Sequence, residues 1–313
     1  MAPSRQGEVS SYALESVVER AREHDGGEVD RSVPALASAD PDVFAVALVG
    51  VDGAVASAGD EDVLFSLQSA VKPFLFALAL ADTGGGALDR VGIEPTGESF
   101  DAIKLESGTG RPPNPMVNAG ALLTAALVDG DDVQARDERI LRGLSAFAGR
   151  QLTVDEEIAR DEHLMGDRNH ALAHLMRSEG TLGVTADDAV AVYARACAVL
   201  VDVEALAVMG ATLAAGGRNP VTGQRVVSAD VARDVVSVMA TCGVYDGSGR
   251  WMRSVGIPAK SSVSGALVLS VPGILGAATF SPPLDERGTS VRGHAAADIL
   301  SAELDLHAFG RLT

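Results

Sequence analysis

The stretch FSLQSAVKPFLFALAL, residues 65–80, places a lysine inside one of the most apolar runs of the chain and follows it at once with Pro73. A proline is tolerated only in the first turn of a helix. The helix that the apolar run predicts must therefore begin at about Ser69 or just after it. Leu75 to Ala81 is apolar on every side, so that helix is expected to be buried. Ser69 and Lys72 then lie one turn apart on one face. Ser69 sits at a helix N-terminus, where free backbone N–H groups favour negative charge. Burial disfavours the charged form of Lys72. A neutral lysine beside a serine hydroxyl is a nucleophile with its own base.

The pattern S-x-x-K is weak alone, and a capping serine with a snorkelling lysine is its plain reading. Lysine is rare here, however: the chain has only Lys72, Lys104 and Lys260, among 25 lysines and arginines in all. The third stands in GIPAKSSVSGALVLS, where Lys260-Ser261 leads an apolar strand. A Lys-Ser pair on an edge strand beside an S-x-x-K helix is the arrangement of serine acyl-transfer enzymes of the β-lactamase and penicillin-binding class.

Strand signals lie at both ends of the chain. Residues 43–62 read as two strands joined at Val51-Asp52-Gly53, an Asp-Gly hairpin signal. GALVLSVPG and ILGAATFSP read as a second antiparallel pair around Pro272-Gly273. Between them, helices are predicted at 119–128, 134–148, 153–160, 168–179, 185–200, 203–215 and 228–241, with a last one at 289–304. Residues 91–120, dense in Gly and Pro, read as an ordered loop. The expectation is one α+β domain over 1–313. Its sheet lobe comes from about 1–68 and 250–313, its helical lobe from about 69–249, and the natural pocket lies between them.

A net charge of −18 argues against nucleic acid and against anionic membranes as partners. It fits either a salt-rich cytoplasm or a codon bias that favours Asp and Arg. No apolar run reaches the ~18 residues of a membrane span, and the N-terminal segment has no apolar core of signal-peptide type. The expected location is the cytoplasm. Cys197 and Cys242 match no metal spacing and read as buried thiols. His170 and His174 stand four apart on a predicted helix, but no H-E-x-x-H glutamate and no third ligand are evident, so a structural role is expected and no metal.

Longer motifs carry a more specific signal. FSLQSAVKPF, IEPTGESFDAI, RPPNPMVNAGAL, DEHLMGDRNHALAHLM, MGATLAAGGRNPVTG and TCGVYDGSGRWMRSVGIPAKSSVSG together resemble the bacterial-type serine-dependent glutaminases over about residues 15–305. The resemblance implies a β-lactamase-like fold, hydrolysis of L-glutamine, no cofactor, and a homodimer or homotetramer. It implies Ser69 as nucleophile and Lys72 as its base, with Tyr245, Lys260 and Ser261 completing the catalytic cluster. It implies Asn118, Glu162, Asn169, Tyr193, Tyr245 and the backbone of Val263 as contacts to substrate. Taken singly, these residues have blander readings: a helical tyrosine in the core, a glutamate as cap, an asparagine in a turn.

The chemistry agrees with the carried-over roles. The α-ammonium of glutamine needs an acid, which Glu162 supplies. Its carboxylate needs donors such as the Asn169 amide and a tyrosine hydroxyl. The tetrahedral intermediate needs two backbone donors, met by Ser69 and Val263. Lys72, through Tyr245, returns a proton to the leaving ammonia. One departure stands out: Ser262 occupies the place where the resembled family carries glycine, and its side chain is expected to narrow the cleft or to change how Val263 presents its N–H. Two rivals remain: a β-lactamase or peptidase on the same fold, and a sensor that binds glutamine without turnover.

Overall fold

A computed structural model describes residues 14–98 and 102–310. The strands are β1 (Ala45–Gly50), β2 (Val55–Gly59), β3 (Phe65–Ser66), β4 (Thr153–Val154), β5 (Val199–Val201), β6 (Ala259–Ser261), β7 (Ala266–Val271) and β8 (Leu275–Phe280). The helices before residue 150 are α1 (Glu15–Arg22), α2 (Pro34–Ala37), α3 (Lys72–Asp82), α4 (Ala87–Arg90), α5 (Asn118–Leu127) and α6 (Val133–Ala148). The later ones are α7 (Glu156–Leu164), α8 (Asp167–Ser178), α9 (Ala186–Cys197), α10 (Val203–Ala214), α11 (Ala229–Cys242), α12 (Ser248–Ser254) and α13 (Val291–Glu303). The architecture is α+β, as expected.

The main sheet is antiparallel in the order β2-β1-β8-β7-β6, so strands from the two ends of the chain meet at the β1–β8 pair. Both faces are covered. On β1, Ala45, Ala47 and Val49 point into the larger core, while Val46 and Leu48 point into a second core. β7 and β8 alternate in the same way, with Ala266, Val268, Ala278 and Phe280 on one side and Leu267, Leu269, Leu275 and Ala277 on the other. This is the period of two that a pleated strand imposes. The second core is closed by α1, α12 and α13, through residues such as Val17, Trp251 and Leu300.

The face toward the larger core is built from small residues because α10 lies directly on it. A Cβ added at Gly276 would stand 2.0 Å from the Ala211 nitrogen, so only glycine permits this approach. Both hairpins match expectation: Gly53 and Gly273 turn with φ of 89° and 72°.

The helical region departs from expectation in two places. The helix expected over 185–200 stops at Cys197, and Val199–Val201 forms the centre of a second sheet, β3-β5-β4. The helix expected over 153–160 begins instead at Glu156. Thr153 pairs with Leu200, and the Asp155 side chain accepts from the N–H groups of Glu157 and Ile158 as an N-cap. That small sheet matters for the site, because β3 delivers the chain into the turn that carries Ser69.

Candidate active site

Gln68–Val71 forms a short 3₁₀ turn, and α3 follows from Lys72 with Pro73 in its first turn. The proline thus fixes the start of the helix as anticipated, with Ser69 one turn before it. Gln68 holds φ at 46° and Tyr245 at 52°, two of three non-glycine residues with positive φ among those described. Such positions cost of order 1–3 kcal/mol and persist only where the surroundings impose them. Here they flank the same serine, since the Tyr245 hydroxyl hydrogen-bonds with Ser69 and lies 3.4 Å from the Ser261 carbonyl oxygen.

Ser69 is 6% exposed and Lys72 is fully buried. The Lys72 ammonium donates to Asn118 Oδ1 at 2.7 Å, and Asn118 Nδ2 donates to Asn169 Oδ1 at 3.0 Å. The order of donors is forced. The Lys72 nitrogen donates its N–H to this amide, so Asn118 turns its oxygen to Lys72 and its nitrogen to Asn169, which leaves the Asn169 NH₂ as a donor for another group. Asn118 opens α5 and Asn169 lies in the first turn of α8, so three helices meet at this chain of bonds.

Lys260 is also fully buried, donates to the Ser261 carbonyl, and places its nitrogen 3.8 Å from the centre of the Tyr245 ring. The Lys72 nitrogen lies 5.6 Å from the same centre. Burial, reinforced by the charge of Lys72, pushes the pKa of Lys260 well below the usual lysine range. Burial pushes the Tyr245 phenol up, against the pull of its bonds to Ser69 and Ser261, so it remains protonated at neutral pH. The Ser261 Oγ is buried without a partner, whereas the Ser261 carbonyl accepts from both Tyr245 and Lys260.

A cavity of about 260 Å³ opens beside this cluster. It is smaller than pockets for drug-sized ligands, roughly 300–1,000 Å³. Ser69, Asn118, Glu162, Asn169, Tyr193 and Val263 all line it. Lys72, Tyr245, Lys260 and Ser261 lie buried beneath, in contact with those walls. All the residues carried over from the resemblance are thus gathered at one place, drawn from the 3₁₀ turn, α3, α5, α7, α8, α9, β6 and the turns near Tyr245 and Val263.

Desolvation pushes the Glu162 carboxyl up from its ordinary value; a hydrogen bond with Gln68 opposes the shift, and the nearby Asp30 and Asp161 add to it. A ligand ammonium would relieve both the desolvation and the repulsion. Tyr193 is raised well above its usual value, chiefly by burial, and hydrogen-bonds with Cys197 one turn along α9.

Among the lining residues that escaped the sequence reading, Asp30, Gln68 and Arg168 bear most on the chemistry. Gln68 had a signal, its position immediately before the nucleophile. Arg168 stands beside Asn169 and offers the charge that a carboxylate favours. Asp30 had none, because it arrives from a loop 132 residues away from Glu162 in sequence.

Ser262 corrects an expectation. Its side chain is fully buried and does not enter the cleft. Its hydroxyl bonds to the Leu67 carbonyl at 2.9 Å and approaches Ser264 Oγ at 3.0 Å. It ties the strand that carries Lys260 to the segment that leads into Ser69. His170 also departs from expectation: it stands with His163 and Asp187, and His174 is not in that group.

A polar, amino-acid-sized pocket lies over a buried serine–lysine pair, and comparison with known proteins gives the class, an amidohydrolase. A family model described as Glutaminase matches residues 27–309. The glutaminase of Clavibacter michiganensis subsp. michiganensis is 71% identical over 297 residues, which is 95% of this chain and 91% of that protein. A solved structure of a probable glutaminase, ybaS, superposes with a TM-score of 0.91 at 40% identity, covering 95% of this chain and 98% of the other. A crystal structure of Mglu in its glutamate form gives 0.89 at 47% identity over 93% of this chain and 68% of that one. The chain belongs to the glutaminase family.

No helix among the described residues is long and apolar enough to cross a membrane.

Proposed function

We propose that this protein hydrolyses L-glutamine to L-glutamate and ammonia through an acyl-serine formed on Ser69. The observation that carries the reading is the Lys72–Asn118–Asn169 chain beside Ser69, buried at Lys72 and opening through the two asparagines into a cavity with Glu162 on its wall. In this reading Glu162 takes the α-ammonium, while Asn169, Tyr193 and Arg168 face the α-carboxylate. The side-chain amide then projects toward Ser69. Deprotonated Lys72 takes the Ser69 proton, directly or through Tyr245, as Oγ attacks the amide carbon. The oxygen that gains charge lies between the backbone N–H groups of Ser69 and Val263. The C–N bond breaks as the proton passes to the leaving nitrogen, and ammonia departs. Water attacks the acyl-serine by the reverse relay and releases glutamate.

Lys260 and Ser261 position the relay: Lys260 backs the Tyr245 ring, and the Ser261 carbonyl receives its hydroxyl. The assembly is read as a homodimer or homotetramer, which light scattering tests directly.

The test of the reaction is ammonia release from L-glutamine by the wild-type protein and by Ser69→Ala, with L-asparagine and a chromogenic β-lactam as competing substrates. Release from glutamine that depends on Ser69 is the expected result. Turnover of the β-lactam, or release that survives the substitution, would overturn it.

A further inference from the structure

The three helices that present Glu162, Asn169 and Tyr193 also meet at a second cluster. His163 follows Glu162 on α7, His170 follows Asn169 on α8, and Asp187 lies in the first turn of α9, the helix that carries Tyr193. One ligand atom from each of these three residues lies within 4.8 Å of the others. His163 Nε2 stands 3.2 Å from Asp187 Oδ1. Two ligands on one tetrahedral ion, each bound at about 2.0–2.2 Å, are separated by roughly 3.3 Å, so this pair already has the required spacing.

His170 Nε2 is 3.1 Å from the His163 carbonyl oxygen. A donated Nε2–H leaves Nδ1 with its lone pair, and a ring N–H held by a backbone carbonyl is the outer contact that metal-bound histidines usually make. The rings of His163 and His170 meet edge to face at 5.3 Å. His163 Nδ1 is buried and has no hydrogen-bond partner, which leaves Nε2, the nitrogen beside Asp187, as the atom that reaches an ion. Asp187 is 75% exposed, which leaves a path for an ion and freedom to close on it.

We propose that His163, His170 and Asp187 bind a first-row divalent ion of the zinc type, with water completing the shell. Two imidazoles and one carboxylate suit zinc, and not calcium or magnesium, which take oxygen ligands. The ion plays no part in the acyl chemistry. It clips the end of α7 to the starts of α8 and α9, and so holds in register the side chains that grip the amino-acid end of the substrate. This coupling to substrate rests on the glutaminase reading above, whereas the binding itself does not.

The probe is zinc ion added to chelator-stripped full-length protein, followed by calorimetry and by melting temperature. Wild-type and Ser69→Ala are each expected to bind one ion per chain and to melt higher with zinc. Asp187→Asn, at an exposed position where the fold is not at risk, and His163→Gln are expected to lose that binding and that shift. Ser69→Ala separates the two readings, because its ion binding is independent of turnover. In the wild type, zinc is expected to lower KM for glutamine severalfold with kcat within twofold, and Asp187→Asn is expected to abolish this response. Absence of binding, or binding that survives both substitutions, overturns the site. Unchanged KM with zinc bound overturns the coupling.

Discussion

Replacing Tyr245 by Phe removes one oxygen and keeps the ring against which Lys260 rests at 3.8 Å. In the resting protein little should change. The bond to the Ser261 carbonyl is 3.4 Å, beyond the 2.5–3.0 Å of a strong O–H···O bond, and that carbonyl still accepts from Lys260. The stability cost is therefore at the low end of the usual ~0.5–1.5 kcal/mol for a hydrogen bond. In a chain of 313 residues this amounts to about 2 °C or less in melting temperature.

The catalytic cost is of another order. The hydroxyl bonds with Ser69, and burial keeps it protonated at neutral pH, the state a proton relay needs. Loss of a positioned proton donor costs roughly 10²–10⁴-fold, or about 3–5 kcal/mol of barrier. Steady-state ammonia release and thermal melting of the same preparation should thus separate, with kcat falling at least a hundredfold and melting almost unmoved. A fall in kcat of less than tenfold would remove Tyr245 from the relay. A fall that tracks a large loss of melting temperature would make its role structural.

Other substitutions probe other parts of the site. Glu162→Gln deletes the charge that faces the substrate ammonium, and a charge-assisted bond of ~1.5–3 kcal/mol predicts KM raised roughly ten- to hundredfold with a smaller effect on kcat. Ser262→Ala removes the hydroxyl from the Leu67 carbonyl, which keeps the Ala70 N–H, and should cost about 0.5–1.5 kcal/mol in denaturant unfolding and lower kcat through the turn at Gln68. Asp137, beside Arg195, has its carboxyl raised from 3.8 to about 6, mainly by burial. The folded state then binds the extra proton, so this contribution to stability is complete below pH ~4 and is lost as pH rises through about 6. Melting temperature measured across that window should decline more steeply for wild type than for Asp137→Asn, and parallel curves would contradict the assignment.

The parts of the molecule legible in the sequence are those fixed by local physics. Pro73 set the start of α3, Asp52-Gly53 and Pro272-Gly273 set the hairpins, and the all-round apolar character of Leu75–Ala81 set its burial. The parts that were not legible depend on partners distant in sequence. β3 and β4 have two residues each, too few for an alternation to register, and exist because Val199–Val201 runs between them. β5 itself directly follows a helix, so its apolar residues read as one more helical turn. The cap at Asp155 was visible as an acid before Glu156 and Glu157, and would have moved the start of α7 to its true place. The residues of the site came from their motifs, since Glu162 or Tyr193 alone reads as cap or core. Ser262 shows the limit of that route: its identity departs from the resembled pattern, and only its bond to Leu67 shows that the side chain turns away from the cleft.

The central claim is that Ser69 forms a covalent bond to the substrate's side-chain carbon. The direct measurement exposes the protein to an electrophilic diazoketone analogue of L-glutamine and reads intact mass and the labelled peptide by mass spectrometry. The mechanism predicts one adduct per chain, on Ser69, blocked by excess L-glutamine and absent in Ser69→Ala. An adduct on another residue, or none in a preparation that releases ammonia from glutamine, would contradict it.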